Sequence, residues 1–232
     1  MNQAMLTPPP HPDYPVEAEL QFLPAGHFLY RRYTKDGVAT KFVTAADAAA
    51  AFTGAEMDTG WMPVGIVRSG SCKRGNYAVY TAPPQIVSIT FTTNGDPKII
   101  NIPIPATVLV GVKANYYIAA LPGGEFSPKA VTAYAPFPNV YQDGTICWGA
   151  KNTPQPAKPG NMPGVWKKFF DIPFTSELAT GKSKRFGDDV REWLIALDCK
   201  RKYPLADLIP TGNTVRHWVK NILGEQGDDD DD

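Results

Sequence analysis

Short runs in which apolar and polar residues alternate fill the first half of the chain, the period-two pattern of half-buried strands. Glu17 to Leu23, His27 to Tyr33 and Val38 to Val43 predict three short antiparallel strands, the last two joined at the Asp36-Gly37 turn signal. Thr44 then caps a short helix over Ala45 to Phe52. From Trp61 to Leu121 the text stays strand-like, with runs at Val64 to Val67, Tyr77 to Tyr80, Ile86 to Phe91, Ile99 to Ile104, Thr107 to Val112 and Tyr116 to Leu121. Breakers at Pro83-Pro84, Asn94-Gly95-Asp96-Pro97 and Pro122-Gly123-Gly124 separate them, which predicts an antiparallel meander.

The period changes in the last third. Val190, Trp193, Leu194, Leu197 and Arg201 fall three and four apart, which predicts a helix over Val190 to Lys202 capped by Asp188 or Asp189. A last helix starts at Thr211 to Asn213, carries Val215, Trp218, Val219 and Ile222 as its apolar stripe and stops at Gly224. Strands first and helices last is the order of an α+β fold. Before the helices, residues 153–164 hold four Pro and two Gly and read as a stiff irregular loop. The domain reading is a Pro-rich arm over 1–16, a strand and helix extension over 17–58, a main domain over 59–224 and an acidic tail over 225–232.

Composition narrows the class. With 23 Lys+Arg against 23 Asp+Glu the 232-residue chain is neutral, which excludes a large basic footprint for nucleic acid. The longest apolar stretch, Ile99 to Val112, is broken by Asn101, Pro103 and Pro105, so no helical membrane span is expected. Cys72, Cys147 and Cys199 lack close pairing and the first residues lack a secretory pattern, so a reducing cytoplasm is the expected setting. Without C-x-x-C or H-x-x-x-H spacing, no metal or other cofactor is expected.

One segment carries chemistry: Ala135-Pro-Phe-Pro-Asn-Val-Tyr-Gln-Asp-Gly-Thr-Ile-Cys-Trp-Gly149. Pro138 stiffens the chain before Asn139, and Asp143-Gly144 supplies a turn with a residue free to take positive φ. A strand end, a turn and a second strand end would then bring the Asn139 amide and the Cys147 thiol to one place. That arrangement suits a nucleophile facing a hydrogen-bond donor.

These residues resemble the active-site segment of ubiquitin-conjugating enzymes, which reads His-Pro-Asn, a Val-Tyr or similar pair, a turn and then Gly, Thr or Lys, Val or Ile, and Cys, at the same spacing from Asn to Cys. Pro138, Asn139, Val140, Tyr141, Gly144, Thr145 and Cys147 match, while Phe137 stands where that family has His. The closer resemblance is to the bacterial conjugating-enzyme-like family D, which includes the B protein of the PRTRC cassette. It rests on Asn139 to Gly149 and on stretches around Phe186 to Leu197 and Thr211 to Trp218, and covers roughly residues 75–223.

The resemblance implies thioester relay. Cys147 would take a ubiquitin-like modifier from a ThiF-type activating enzyme and pass it to a target protein amine, with Asn139 as the oxyanion donor. The incoming amine must lose a proton, and Asp143, Asp188 or Asp189 are the carboxylates that could orient it.

Other readings compete. A catalytically silent adaptor on the same fold is one. A cysteine hydrolase is another, since Cys147-Trp148 is similar to the papain-type pair, but its base would have to be His27 or His217. Gly181-Lys182-Ser183 mimics the end of a phosphate loop, yet the first Gly is replaced by Ser176. Lys182, Lys184 and Arg185 therefore read as a solvated patch. Trp148, Trp166, Phe169 and Phe170 read as core, and Cys72 and Cys199 as structural thiols in a turn and on a helix.

Overall fold

The computed structural model describes residues 16–24, 27–48, 61–91, 97–150 and 152–225. Most of the arm, the end of the Ala45 to Phe52 helix, the Asn94-Gly95-Asp96 breaker and the acidic tail lie outside the described residues. The chain divides into two compact units, Met1–Gly60 and Trp61–Asp232.

The first unit is a three-stranded antiparallel sheet, β1 (Ala18–Phe22), β2 (Phe28–Thr34) and β3 (Gly37–Val43), in that spatial order. Gly37 follows the β2–β3 turn at φ 132°, a conformation that favours glycine. Thr44 caps the helical residues 45–48: its Oγ1 accepts from the Asp47 N–H, and the Asp47 carboxylate accepts from the Thr44 N–H.

The second unit carries β4 (Ile66–Cys72), β5 (Gly75–Ala82), β6 (Gln85–Phe91), β7 (Lys98–Ile104), β8 (Ala106–Val112), β9 (Asn115–Leu121), β10 (Val131–Tyr134) and β11 (Pro210–Thr214). Its helices are α1 (Met162–Asp171), α2 (Val190–Ala196) and α3 (Val215–Leu223). The main sheet runs β11-β10-β9-β8-β5-β4, all antiparallel, and β6-β7 form a separate two-stranded sheet. The α+β fold with antiparallel sheets and C-terminal helices is thus the one expected, except that β6 and β7 step out of the meander so that β5 pairs with β8.

Successive side chains of the central strands point to opposite faces and are apolar on both, so both faces of the sheet are buried. Ala78, Leu109, Tyr116, Ile118 and Ala120 face a core built with α1, α2 and the β6–β7 pair. Val79, Val108, Val110, Tyr117 and Ala119 face a second core closed by Val215, Trp218, Val219 and Ile222 of α3. Every residue of β8 is buried, as a strand covered on both sides must be.

Several local expectations change. Cys72 is the last residue of β4, paired with Gly75, and its thiol donates to Gly75 O at 3.3 Å. The helix begun by Asp189, which accepts from Arg191 N at 2.9 Å, ends at Ala196 rather than Lys202. Asp198 Oδ1 instead accepts from Asn101 N, and Cys199, at φ 61°, donates its N–H to Asn101 O, so bonds to β7 replace further helical turns. Cys199 therefore sits in an exposed turn and not on a helix.

Thr211 to Asn213 belong to edge strand β11, held to β10 by the Thr132–Thr211 hydroxyl contact of 2.6 Å. Thr214 is the cap of the last helix and accepts from His217 N at 3.2 Å. The Pro-rich loop ends sooner than expected, because Met162 opens α1 and Pro163 sits in its first turn, where its missing N–H costs nothing.

Candidate active site

The chain between Asn139 and Cys147 folds into a tight hairpin. Tyr141 N donates to Thr145 O at 2.8 Å, Gly144 N to Tyr141 O at 3.0 Å, and Cys147 N to Asn139 O at 2.8 Å. Val140 and Ile146 bridge between these bonds. Asp143 shapes the turn: its carboxylate accepts from Thr145 N at 2.8 Å and from Thr145 Oγ1 at 2.9 Å. The hairpin thus brings Asn139 and Cys147 together at its base.

Gly144 is required twice over. It adopts φ 92°, and a Cβ there would lie 2.9 Å from Trp218 Cζ2 and 3.0 Å from Ile118 O. Left-handed backbone costs a non-glycine residue about 1–2 kcal/mol, and forced overpacking adds about 1–3. Gly144→Ala should therefore lower stability by about 2–5 kcal/mol, seen as a reduced denaturant midpoint at unchanged slope.

Both edges of the hairpin are tied down. On one side it extends the half of β9 that β10 leaves free: Ile118 N donates to Gly144 O and Ile146 N to Tyr116 O, each at 2.8 Å. On the other it meets residues 173–182. Asn139 N donates to Glu177 O at 3.3 Å, and Lys182 Nζ donates to Val140 O.

Asn139 is buried and takes φ 60°, a conformation Asn tolerates better than most residues. Its carboxamide Oδ1 accepts from Thr175 Oγ1 at 3.1 Å and from Thr175 N at 3.4 Å, while Nδ2 donates to Pro173 O at 3.1 Å. Two donors on the oxygen and a carbonyl on the nitrogen fix which way the amide is turned. One Nδ2 hydrogen is committed to Pro173, and the amide nitrogen carries a second. Segment 173–175 is itself held to β6, where Phe174 N donates to Thr90 O at 2.7 Å.

Phe137, two residues before Asn139, is fully buried. Its ring lies 5.8, 5.2 and 6.3 Å from those of Phe169, Phe170 and Phe174. The approach to the hairpin is therefore held by aromatic packing against α1 and Phe174. Trp148 continues that layer, 5.8 Å from the Tyr116 ring and 6.3 Å from Phe169. Trp166 and Phe170 lie in the same core, as expected.

Cys147 is partly exposed. The three candidate carboxylates separate. Asp143 is exposed on the hairpin turn, which forms one wall of a cleft of about 430 Å³ with Tyr117, Tyr134, Asn213 and Trp218. Asp189 is consumed as a helix cap and by a 2.6 Å ion pair with Arg191, which together hold its carboxyl below the usual range. Asp188 is exposed, its carbonyl accepting from Thr180 Oγ1. His27 and His217 are both exposed, His27 in the first unit and His217 in the first turn of α3. Among the described residues no group of three His, Cys, Asp or Glu could hold a metal ion, and no helix is long and apolar enough to cross a membrane.

Lys182 is the site residue that the sequence concealed. Expected in a solvated patch, it is 3% exposed, with its Nζ on the Val140 carbonyl. Lys184 and Arg185 do stay outside, Lys184 bonding Ala206 O and Arg185 lying over Trp193. Burial pulls the Lys182 ammonium down from 10.5 to about 8, against the opposing field of Asp143. A cation whose folded-state pKa is depressed destabilises the fold while both states would be charged, and that cost is relieved as pH rises from about 8 toward 10.5. Unfolding free energy should accordingly rise over that window relative to a Lys182→Met chain, as denaturant titrations at stepped pH would show.

Residues 40–211, well over half of the chain, match the profile of prokaryotic E2 family D. The match begins inside β3, upstream of the start near residue 75 that the motif-bearing half suggests. No curated protein and no solved structure shows a significant match. Extent of match, antiparallel α+β architecture and motif agree: the chain belongs to prokaryotic E2 family D.

Proposed function

We propose that the chain is a thioester carrier in a ubiquitin-like conjugation pathway. Cys147, as thiolate, attacks the thioester carbonyl that joins a modifier's C-terminus to the cysteine of a ThiF-type activating enzyme. The tetrahedral intermediate collapses with loss of the activating enzyme's thiolate, leaving the modifier on Cys147. A target amine then attacks the same carbonyl, loses a proton, and releases Cys147 as thiolate. Exchange of one thiolate for another at a thioester carbonyl needs no strong base beside the nucleophile.

The observation that supports this reading best is the hairpin itself, which sets a partly exposed Cys147 against a buried Asn139 through the 2.8 Å bond from Cys147 N to Asn139 O. The second hydrogen of Asn139 Nδ2 is the group that would meet the oxyanion.

A second reading has its own support. The Asn139 carboxamide already holds Pro173 and Thr175, a structural task sufficient to retain it in a silent adaptor. Incubation with the activating enzyme, modifier and ATP, followed by electrophoresis with and without reductant, separates the two. A reductant-sensitive adduct is expected for the carrier. Capture of modifier or activating enzyme without any adduct would leave the adaptor.

A further inference from the structure

The edge of the hairpin that faces away from β9 poses a problem in backbone accounting. Val140 and Ile146 oppose each other, but the bonds across the hairpin are made by their neighbours, Tyr141 with Thr145 and Cys147 with Asn139. The Val140 carbonyl therefore points outward, and a buried carbonyl needs a donor. The donor it receives is the ammonium of Lys182, a residue type almost never fully buried. A charged donor makes a stronger bond than a neutral one.

Lys182 is aimed by a rigid turn. Gly181 N donates to Gly187 O at 2.7 Å, and the buried Ser183 Oγ accepts from Arg185 N at 3.2 Å and from Phe186 N at 3.0 Å. The charged group facing it from the hairpin is Asp143, whose oxygens are occupied by Thr145. On its own segment Lys184 and Arg185 turn to Ala206 and Trp193, and Asp207 accepts from Arg185 N at 2.9 Å. Further along, Asp189 pairs with Arg191. The ammonium is thus committed to the hairpin backbone rather than to an ion pair.

We propose that Lys182 is a positioning residue of this site, its ammonium holding the Val140 carbonyl so that Asn139 and Cys147 keep their register. Its consequence for transfer rests on the thioester-carrier reading, whereas its geometry does not. Asn139 is the residue immediately before the held carbonyl and Cys147 bonds Asn139, so a hairpin released at Val140 loosens first where the amide and thiol meet. Anchorage to β9, through Gly144 and Ile146, does not depend on Lys182.

Lys182→Met keeps length and apolar bulk but removes the donor. In the full chain, amide hydrogen exchange at Cys147 and Tyr141 should accelerate at least about tenfold in this variant, while Ile118 of β9, bonded to Gly144, and Ile146, bonded to Tyr116 of β9, exchange as in the wild type. Single-turnover discharge of loaded Cys147 should slow by about tenfold at unchanged adduct yield. Exchange at Cys147 within twofold of wild type would overturn the proposal. So would faster exchange with unchanged discharge, which would make Lys182 a structural support only.

If Lys182→Met does not fold, the wild type decides. The Tyr141 amide nitrogen, which senses the bond accepted by the preceding carbonyl, should shift in NMR spectra as Lys182 loses its proton between about pH 8 and 10.5, and a flat profile through that range would overturn the proposal. A wild-type chain that forms no adduct sinks the carrier reading, while the exchange data still decide the role of Lys182.

Discussion

Cys147→Ser converts the expected reductant-sensitive adduct into one that survives reductant and yields to hydroxide, and Cys147→Ala abolishes it. The reason lies in the leaving group. A thiolate departs readily from the tetrahedral intermediate, whereas a serine alkoxide is a far poorer leaving group, so an ester formed at residue 147 resists the amine. Loading of the serine chain should be slower by orders of magnitude, because a hydroxyl without an adjacent base is a weak nucleophile. The other thiols serve as controls. Cys72 is committed to Gly75 O and Cys199 lies exposed in its turn, so Cys72→Ser and Cys199→Ser should leave the adduct unchanged.

Substitution of Asn139 should separate backbone from amide. Ala at φ 60° incurs the left-handed cost of about 1–2 kcal/mol, and it removes the bonds that tie Asn139 to exposed Pro173 and half-buried Thr175. Gly at the same place removes the amide without the backbone cost. Thermal stability should therefore fall in the order wild type, Asn139→Gly, Asn139→Ala. Discharge of a loaded adduct to free lysine should fall by about 10²–10³-fold in both variants, the effect of losing one oxyanion donor. Loading would be less affected if the activating enzyme supplies its own donors. Discharge from Asn139→Gly at the wild-type rate would rule out the amide as that donor and leave Asn139 its structural task.

The hairpin was legible because its determinants are local. Asp143-Gly144 is a turn signal, the residues on either side are β-branched or aromatic, and the Asn139 to Cys147 spacing fixes what the turn brings together. The strands were legible as short apolar runs bounded by turn signals, and in β8 and β9 those runs are nearly continuous because the sheet is buried on both faces. Tertiary context hid the rest. Nothing in Thr211-Gly212-Asn213 indicates that Thr132 awaits it across the sheet edge, so a helix start was read where β11 lies. The helical period from Val190 to Arg201 is real, but Asn101 of β7 captures Asp198 and Cys199 and ends the helix.

Lys182 was the least legible residue of the site. Between Gly181 and Ser183, next to Lys184 and Arg185, it has the composition of a solvated patch, and its burial follows only from the outward-facing carbonyl of Val140, 42 residues earlier. Phe137 illustrates the converse. Its departure from the family's His is evident in the sequence, but its support by three phenylalanines depends on how α1 and residue 174 pack around it.

The central claim is that the modifier travels on Cys147. Peptide mapping of the loaded wild-type chain under non-reducing, mildly acidic conditions measures this directly. The account predicts the modifier's C-terminal residues attached to the peptide that contains Cys147, lost on treatment with a thiol, with the Cys72 and Cys199 peptides unmodified. Attachment at Cys199 or Cys72, or a thiol-resistant linkage to lysine formed equally well by Cys147→Ala, would contradict it.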